Sequence, residues 1–398
     1  MKSKYIFFLI LGIDVLVLFL EISELSISYH EASMLYGKVT FLQIIERASL
    51  FLFGYNDFAL RLPMIALHVL SFVLLYKISK SYLRYDRDRL WLMFIFVLLP
   101  GVTSSAILVD NAGFVIFGLL LFIYMYKKVP QLYIYFLLSI YAIIDGGFLY
   151  LFFSLIFFAL YNKDKSFLSF NLVAFLISMF FYGIDTQGLP QGHFLDAIGL
   201  YCAIFTPIIF IYIFYVLYRR YLTREMDILW FISSVTLLVS LLLSFRQRIY
   251  IEHFAPYLIV ALPLVAQTFA TSYRVRLKIF RTKYKAAFVL SLVFLLLNSF
   301  LVLFNKYIYL ILDNPQKHFA YKMHIAKELS KKLKTRGIDC VNTDGSMQKR
   351  LKFYAISKCK QYILDEKPIN DNNLSSNVTI RYNNKIIYNA SVTKINIK

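Results

Sequence analysis

Charge is what this chain has least of. Asp, Glu, Lys and Arg make up 17% of its 398 residues, and only 23 of those are acidic, against about 25% charged residues in a typical soluble domain. A soluble enzyme is thereby excluded. Cysteine is also scarce: Cys202 lies in an apolar run and reads as a packing residue, which leaves Cys340 and Cys359 near the end of the chain. No group of His, Cys and Asp has the spacing of a metal-ligand set, so no cofactor is called for, and a divalent ion held by carboxylates is left open. The N-terminal apolar run leads into Glu21 and Glu24 without a small-residue cleavage site, so it reads as a retained span rather than a signal peptide. Internal repeats are not detectable.

What fills the chain instead is hydrocarbon. Apolar residues reach 59%, aromatics 18%, and the mean hydropathy is positive. Because open sheets leave backbone groups unsatisfied in lipid, the fold expected is an α-helical polytopic membrane protein. The net charge of +20 does not imply nucleic acid, since the basic residues sit in short runs between apolar segments, where they act as topology signals and headgroup contacts. Spans are expected at about 5–20, 60–78, 90–108 (broken at Pro100-Gly101), 112–126, 167–182, 198–218, 227–245, 253–270 and 286–304. The run from Gln131 to Tyr161 is too long for one span and short for two, with Gly146-Gly147 dividing it and Asp145 at the turn. The total is about eleven transmembrane helices. Placing the N-terminus in the cytoplasm puts about 20 Lys and Arg on the inner side against about five on the outer, namely Lys38, Arg47, Arg61, Arg246 and Arg248. Ten carboxylates, from Glu21 to Glu252 and including Asp185, then fall outside. They read either as a catalytic cavity facing outward or as ordinary solvated loops. Asp14, inside the first span, is either functional or a partnered structural carboxylate.

The first outer segment holds Tyr29-His30-Glu31-Ala32, then a stretch in which Leu42, Ile44, Ile45, Leu50 and Phe51 recur at near-helical spacing with Gln43, Glu46 and Arg47 opposite. This predicts a helix lying in the plane of the membrane interface, where it would roof a site at the membrane surface. From Lys306 the composition turns polar. Residues 1–305 are assigned to the membrane domain and 306–398 to a small α/β domain on the outer (periplasmic) side of an inner or plasma membrane. Its expected elements are a helix from His318 to Arg336, a strand-like IDCVNTD, a helical MQKRLKFYAIS, a strand-like KQYIL, and a hairpin turning at Asn383-Asn384. In an exported tail, Cys340 and Cys359 are expected to pair.

Three blocks carry a resemblance: FGYNDFALRLPMIALHVLSFVLLYKIS behind the first outer segment, LLPGVTSSAILVDNAGFVIFGLLLF, and RIYIEHFAPYLIVALPLVA with its spaced Pro256 and Pro263. Over about residues 5–270 the chain resembles the C-type (GT-C) glycosyltransferases that use polyprenyl-phosphate sugars, the superfamily of the protein O-mannosyltransferases and the lipid A aminoarabinose transferase. It departs from them in carrying His30-Glu31 where Asp-Glu is usual and Lys38-Val39-Thr40 where a basic residue precedes two prolines. The resemblance implies a GT-C-like fold with outer-face amphipathic helices. It also implies transfer of a sugar from a polyprenyl-phosphate-linked donor to a lipid, glycan or protein acceptor. Such a donor brings its own leaving group, so the chemistry asks for a base on the acceptor hydroxyl and cations on the departing phosphate. Glu31 and Asp110 are the candidate catalytic carboxylates. Lys38, Arg246 and Arg248 are the candidate phosphate holders, the two arginines alternatively anchoring to lipid headgroups. His30, Tyr250 and His253 are possible neighbours of the same mouth. A surface-glycan polymerase or ligase, and a lipid-linked glycan transporter or flippase, share enough of these features to remain as alternatives.

Overall fold

The computed structural model describes residues 2–183, 186–187, 191–367, 377–383 and 385–394; Asp185, most of the loop after Tyr182 and the chain end lie outside the described residues. Apolar helices dominate. Among the described residues, four are long and apolar enough to cross a membrane (Ser3–Glu24, Asp57–Ser79, Lys165–Tyr182 and Lys278–Leu303). Three further candidate spans are pairs bent at a short break, and four shorter apolar helices accompany them. The protein is a helical membrane protein.

Each bent pair has proline in the first turn of its second helix. Asp86–Leu98 and Pro100–Ile107 meet at 60°, Phe194–Phe205 and Pro207–Thr223 at 105°, and Ile251–Ile259 and Leu262–Val275 at 41°, the last with Pro263. Proline fits the first turn, where its missing N–H bonds nothing, and at Pro100 and Pro207 the preceding residue lies outside the helical region, so the chain turns there. The break at Pro100 agrees with expectation, whereas 198–218, expected as one straight span, is broken at Thr206, which adopts φ +64°. The 131–161 run forms two helices, Gln131–Ile144 and Leu149–Asn162. Between them Asp145 caps a single 3-10 turn, accepting from the Gly147 N–H at 2.7 Å.

By packing, the chain divides into two compact units, residues 1–16 with 64–299 and residues 17–63 with 300–398. The first is a helix bundle with a continuous apolar core. Three of its buried tyrosine hydroxyls donate to backbone carbonyls or to another hydroxyl: Tyr141 to Gly118 O at 2.9 Å, Tyr257 to Gly147 O at 2.6 Å, and Tyr201 to Ser240 at 2.7 Å. In lipid every such group must find its partner inside the protein. Asp14 is partnered, its carboxylate 2.7 Å from His68 Nε2, with the imidazole stacked on Phe96. Gly118 is required by a close approach, since a Cβ there would lie 2.5 Å from the Phe148 ring.

The second unit joins the first inter-span segment to the C-terminal part of the chain. Its sheet is antiparallel, in the order Tyr362–Glu366, Lys385–Lys394, Asn377–Tyr382. The hairpin turns at Asn383 with φ +51°, a conformation Asn tolerates. IDCVNTD contributes only two isolated parallel bridges, Cys340 to Ser357 and Asn342 to Ile363. The helix expected from His318 to Arg336 is confined to Ala326–Thr335 and preceded by two 3-10 turns. His318 explains the late start: its Nδ1 accepts from Ala320 N and its Nε2 contacts Asn305 O, which fixes the preceding chain as turns. The small core includes Leu329, Leu333, Val341, Leu351, Leu364 and Val378.

Cys340 and Cys359 form a disulfide with Cα atoms 5.4 Å apart, closing a loop of 19 residues. In the chain-entropy account a loop of this size contributes about 3 kcal/mol. The native protein is therefore expected to show one reactive thiol per chain, Cys202, after denaturation without reductant and three with it. Three thiols without reductant would contradict the pairing.

Candidate functional site

The second unit is organised around one buried charge pair. Ser28 caps the helix Tyr29–Tyr36 in a reciprocal box: its hydroxyl accepts from the Glu31 N–H at 3.1 Å, and Glu31 Oε2 accepts from the Ser28 N–H at 2.7 Å. The same carboxylate receives Arg61, with Nε at 3.2 Å from Oε1 and a terminal nitrogen at 3.0 Å from Oε2. Arg61 spends its remaining donors on the carbonyls of Leu25, at 3.3 Å, and Ser26, at 3.0 Å. Both side chains are essentially inaccessible, at 0% and 1% exposure. Arg61, counted from sequence among the outer-loop cations, is thus an interior residue of the helix Asp57–Ser79. One signal in the sequence marks it: a single charge inside an otherwise apolar run, two residues before Pro63.

Pro63 completes the arrangement. Lacking an N–H, it leaves the Ala59 carbonyl without its helical partner, and the Ser49 hydroxyl donates to that carbonyl at 2.5 Å. Ser49 belongs to the helix Phe41–Phe53, which turns part of its polar face into the protein. Gln43, Glu46 and Ser49 are buried, while Ile44, Phe51 and Leu52 are exposed. The reason is backbone chemistry. The Gln43 amide donates to the carbonyls of Met34, at 2.8 Å, and Leu35, at 2.9 Å, and Arg47 donates to Leu35 O at 3.1 Å, so this face caps the C-terminus of Tyr29–Tyr36. The polar side meets protein, not water.

The tail closes the unit. Asp57 accepts from the Tyr354 hydroxyl at 2.6 Å and pairs with Lys327 Nζ at 2.9 Å, and the Tyr354 oxygen also accepts from Ile27 N. Burial, followed by the Asp57 charge, pushes the Tyr354 phenol well above its ordinary range. His30 and Lys38 are exposed in this unit.

In the first unit, Asp110 occupies the cap position of the helix Asn111–Tyr126 without using its side chain as the cap. Its carboxylate and that of Glu252 come within 4.8 Å of one another. The helix Ile251–Ile259, which carries Glu252 in its first turn, packs against Asn111–Tyr126. Arg246 and Arg248 are exposed just before it, Arg248 pairing with Gln187 in a two-residue ladder. Tyr250 caps the helix and lies 6.0 Å from the His253 ring, and His253 is within electrostatic reach of Asp145. Asp110, Arg246, Arg248, Tyr250 and His253 therefore share the first unit, while Glu31, His30 and Lys38 belong to the second. Sequence reading placed Glu252 among the outer acids without singling it out. These two carboxylates at adjacent helix N-termini could contribute oxygens to a divalent cation.

Glu46 is the other residue not singled out. It is wholly buried, and neither carboxylate oxygen has a hydrogen-bond partner among the described residues. Burial, and secondarily the Glu31 charge, push its carboxyl up to about 8. The folded state thus binds a proton that the unfolded state releases above about pH 4.5, so stability falls as pH rises from there to about 8. Glu46→Gln should match the parent at pH 4.5 and gain thermal stability progressively up to pH 8, by at most about 1.4 kcal/mol per pH unit. Equal stability differences at pH 5 and pH 8, read by thermal unfolding in detergent, would contradict a buried neutral carboxyl. No family model matches the chain, and no curated protein matches its sequence.

Proposed function

We propose that the protein is an integral membrane glycosyltransferase that moves a sugar from a polyprenyl-phosphate donor to an acceptor hydroxyl at the outer membrane face. The fold is read as GT-C-like. The four long helices, three bent pairs and four shorter apolar helices each count as one crossing, with the N-terminus inside and the C-terminal part outside. One observation carries the reading: the Asp110 and Glu252 carboxylates approach within 4.8 Å, and exposed Arg246 and Arg248 precede Glu252 by six and four residues. A base and its partner acid thus sit in the same unit as cations suited to a departing phosphate.

In this reading Asp110 accepts the acceptor's proton as its oxygen attacks the anomeric carbon. The glycosyl–phosphate bond breaks in the same displacement, and the phosphate leaves with both electrons and the help of Arg246 and Arg248. Glu252 lies beside Asp110 at the same mouth. Glu31, with both oxygens engaged by Arg61 and Ser28, acts as a positioning residue.

A transporter reading has its own support in the three bent helix pairs and the buried Asp14–His68 pair, since broken helices and intramembrane ionisable groups are what transporters use. One experiment separates the two. In membranes supplied with a radiolabelled polyprenyl-phosphate sugar, Asp110→Asn should lower transfer to acceptor about 10²- to 10⁴-fold with expression unchanged, and Arg248→Ala should raise the donor KM. Wild-type transfer in Asp110→Asn would overturn the assignment. Label that crosses the bilayer without changing its chemical form would favour the transporter.

A further inference from the structure

The first unit contains a cavity of about 990 Å³ between the helices Asp86–Leu98, Pro207–Thr223, Leu262–Val275 and Lys278–Leu303. That is the upper end of the range of small-molecule sites, roughly 300–1,000 Å³. Its body is hydrocarbon and aromatic, with Trp91, Ile95, Ile211, Leu262, Phe269 and Leu292 in its walls. Its rim is cationic. Arg87, Arg274, Arg276 and Lys285 line it against a single carboxylate, Asp88, which is already paired with Arg274. Three positive charges therefore remain uncompensated among the lining residues.

Two of the guanidinium groups are held in place. Arg274 lies over the Tyr85 ring at 4.2 Å and Arg276 over the Tyr284 ring at 4.5 Å. A guanidinium stacked by its face keeps its in-plane N–H donors for an anion, and its order is set before any ligand arrives. The depth of the cavity is informative as well. Along the helix Lys278–Leu303 its lining runs from Lys285 to Leu295, which at the rise of an α-helix is about 15 Å. That is half of the roughly 30 Å hydrocarbon core of a bilayer. A cationic rim above an apolar body one leaflet deep fits one chemistry.

We infer that this cavity binds an anionic phospholipid of the leaflet adjoining the Arg87 and Arg276 loops, its phosphate on the cationic rim and its acyl chains in the apolar body. The site is built from residues that the transfer chemistry does not use, so it stands apart from the glycosyltransferase reading. Its lipid would fill the gap between the helix Lys278–Leu303 and its neighbours and hold that helix on the bundle.

The test is native mass spectrometry of the purified full-length chain in detergent, titrated separately with phosphatidylglycerol, phosphatidylcholine and glycerol phosphate. Phosphatidylglycerol should bind at least ten-fold more tightly than phosphatidylcholine, and glycerol phosphate should not bind. The Arg87→Gln, Lys285→Gln double variant, both side chains being exposed, should weaken phosphatidylglycerol about 25-fold, at about five-fold per cation, and leave phosphatidylcholine unchanged. Ala266→Trp, which narrows the apolar body, should weaken both lipids. Should that variant fail to fold, the double variant decides. Equal affinity for the two lipids, unchanged phosphatidylglycerol binding in the double variant, or glycerol phosphate binding as well as the whole lipid would each overturn the inference.

Discussion

The contact between Arg61 and Glu31 sets the terms for the rest of the second unit. Neither charge reaches water, and an arginine buried without its carboxylate costs several kcal/mol. Everything around the pair lowers that cost. Ser28 adds a backbone donor to the carboxylate, and the Leu25 and Ser26 carbonyls take the guanidinium's spare hydrogens. Holding those carbonyls fixes the end of the first long helix against the start of the second. The Tyr354 and Lys327 contacts to Asp57 then bring the C-terminal part of the chain onto the same segment. One ion pair thus determines where residues 17–63 run and what they can pack against.

A second constraint is the absence of water, which reverses a rule of soluble proteins. In the helix Phe41–Phe53 Gln43 turns inward because unsatisfied carbonyls of a neighbouring helix lie there, and it is buried along with Leu42 and Leu50 while Ile44, Phe51 and Leu52 are exposed. The same economy appears at each proline. Pro63 frees a carbonyl that Ser49 then occupies, and Pro100, Pro207 and Pro263 sit where a helix begins and no N–H is missed. Glu46 departs from the pattern, since neither oxygen of its buried carboxyl meets a donor among the described residues. Its protonation is the price of the surrounding packing.

Features with local chemistry were legible in the sequence. The break at Pro100, the division at Gly146-Gly147 and the turn at Asn383 follow from what those residues permit within a few positions of themselves, and the pairing of Cys340 with Cys359 follows from their being the two cysteines of the tail. Features that depend on partners far along the chain were not. Arg61 is recognisable in sequence as a lone charge, but its partner thirty residues earlier is chosen by packing. The burial of Gln43 and Glu46 in Phe41–Phe53 was not legible, because periodicity separates two faces without saying which one meets protein. The approach of Glu252 to Asp110 required two helix starts, far apart in the chain, to be packed side by side. Of the candidate residues, the sequence identified types and neighbourhoods. It could not divide them between the two units.

The claim on which the account rests most heavily is that Glu31 and Arg61 act as one structural unit. A double-mutant cycle with Glu31→Gln and Arg61→Met, followed by unfolding in detergent, measures it directly. Each single change should destabilise by about 3–5 kcal/mol, because each leaves a buried group without its counterpart. The double variant should recover most of that loss, giving a coupling of about 2 kcal/mol or more. Losses that add to within about 0.5 kcal/mol would show the two residues to be independent, and the account of the second unit would fail with them.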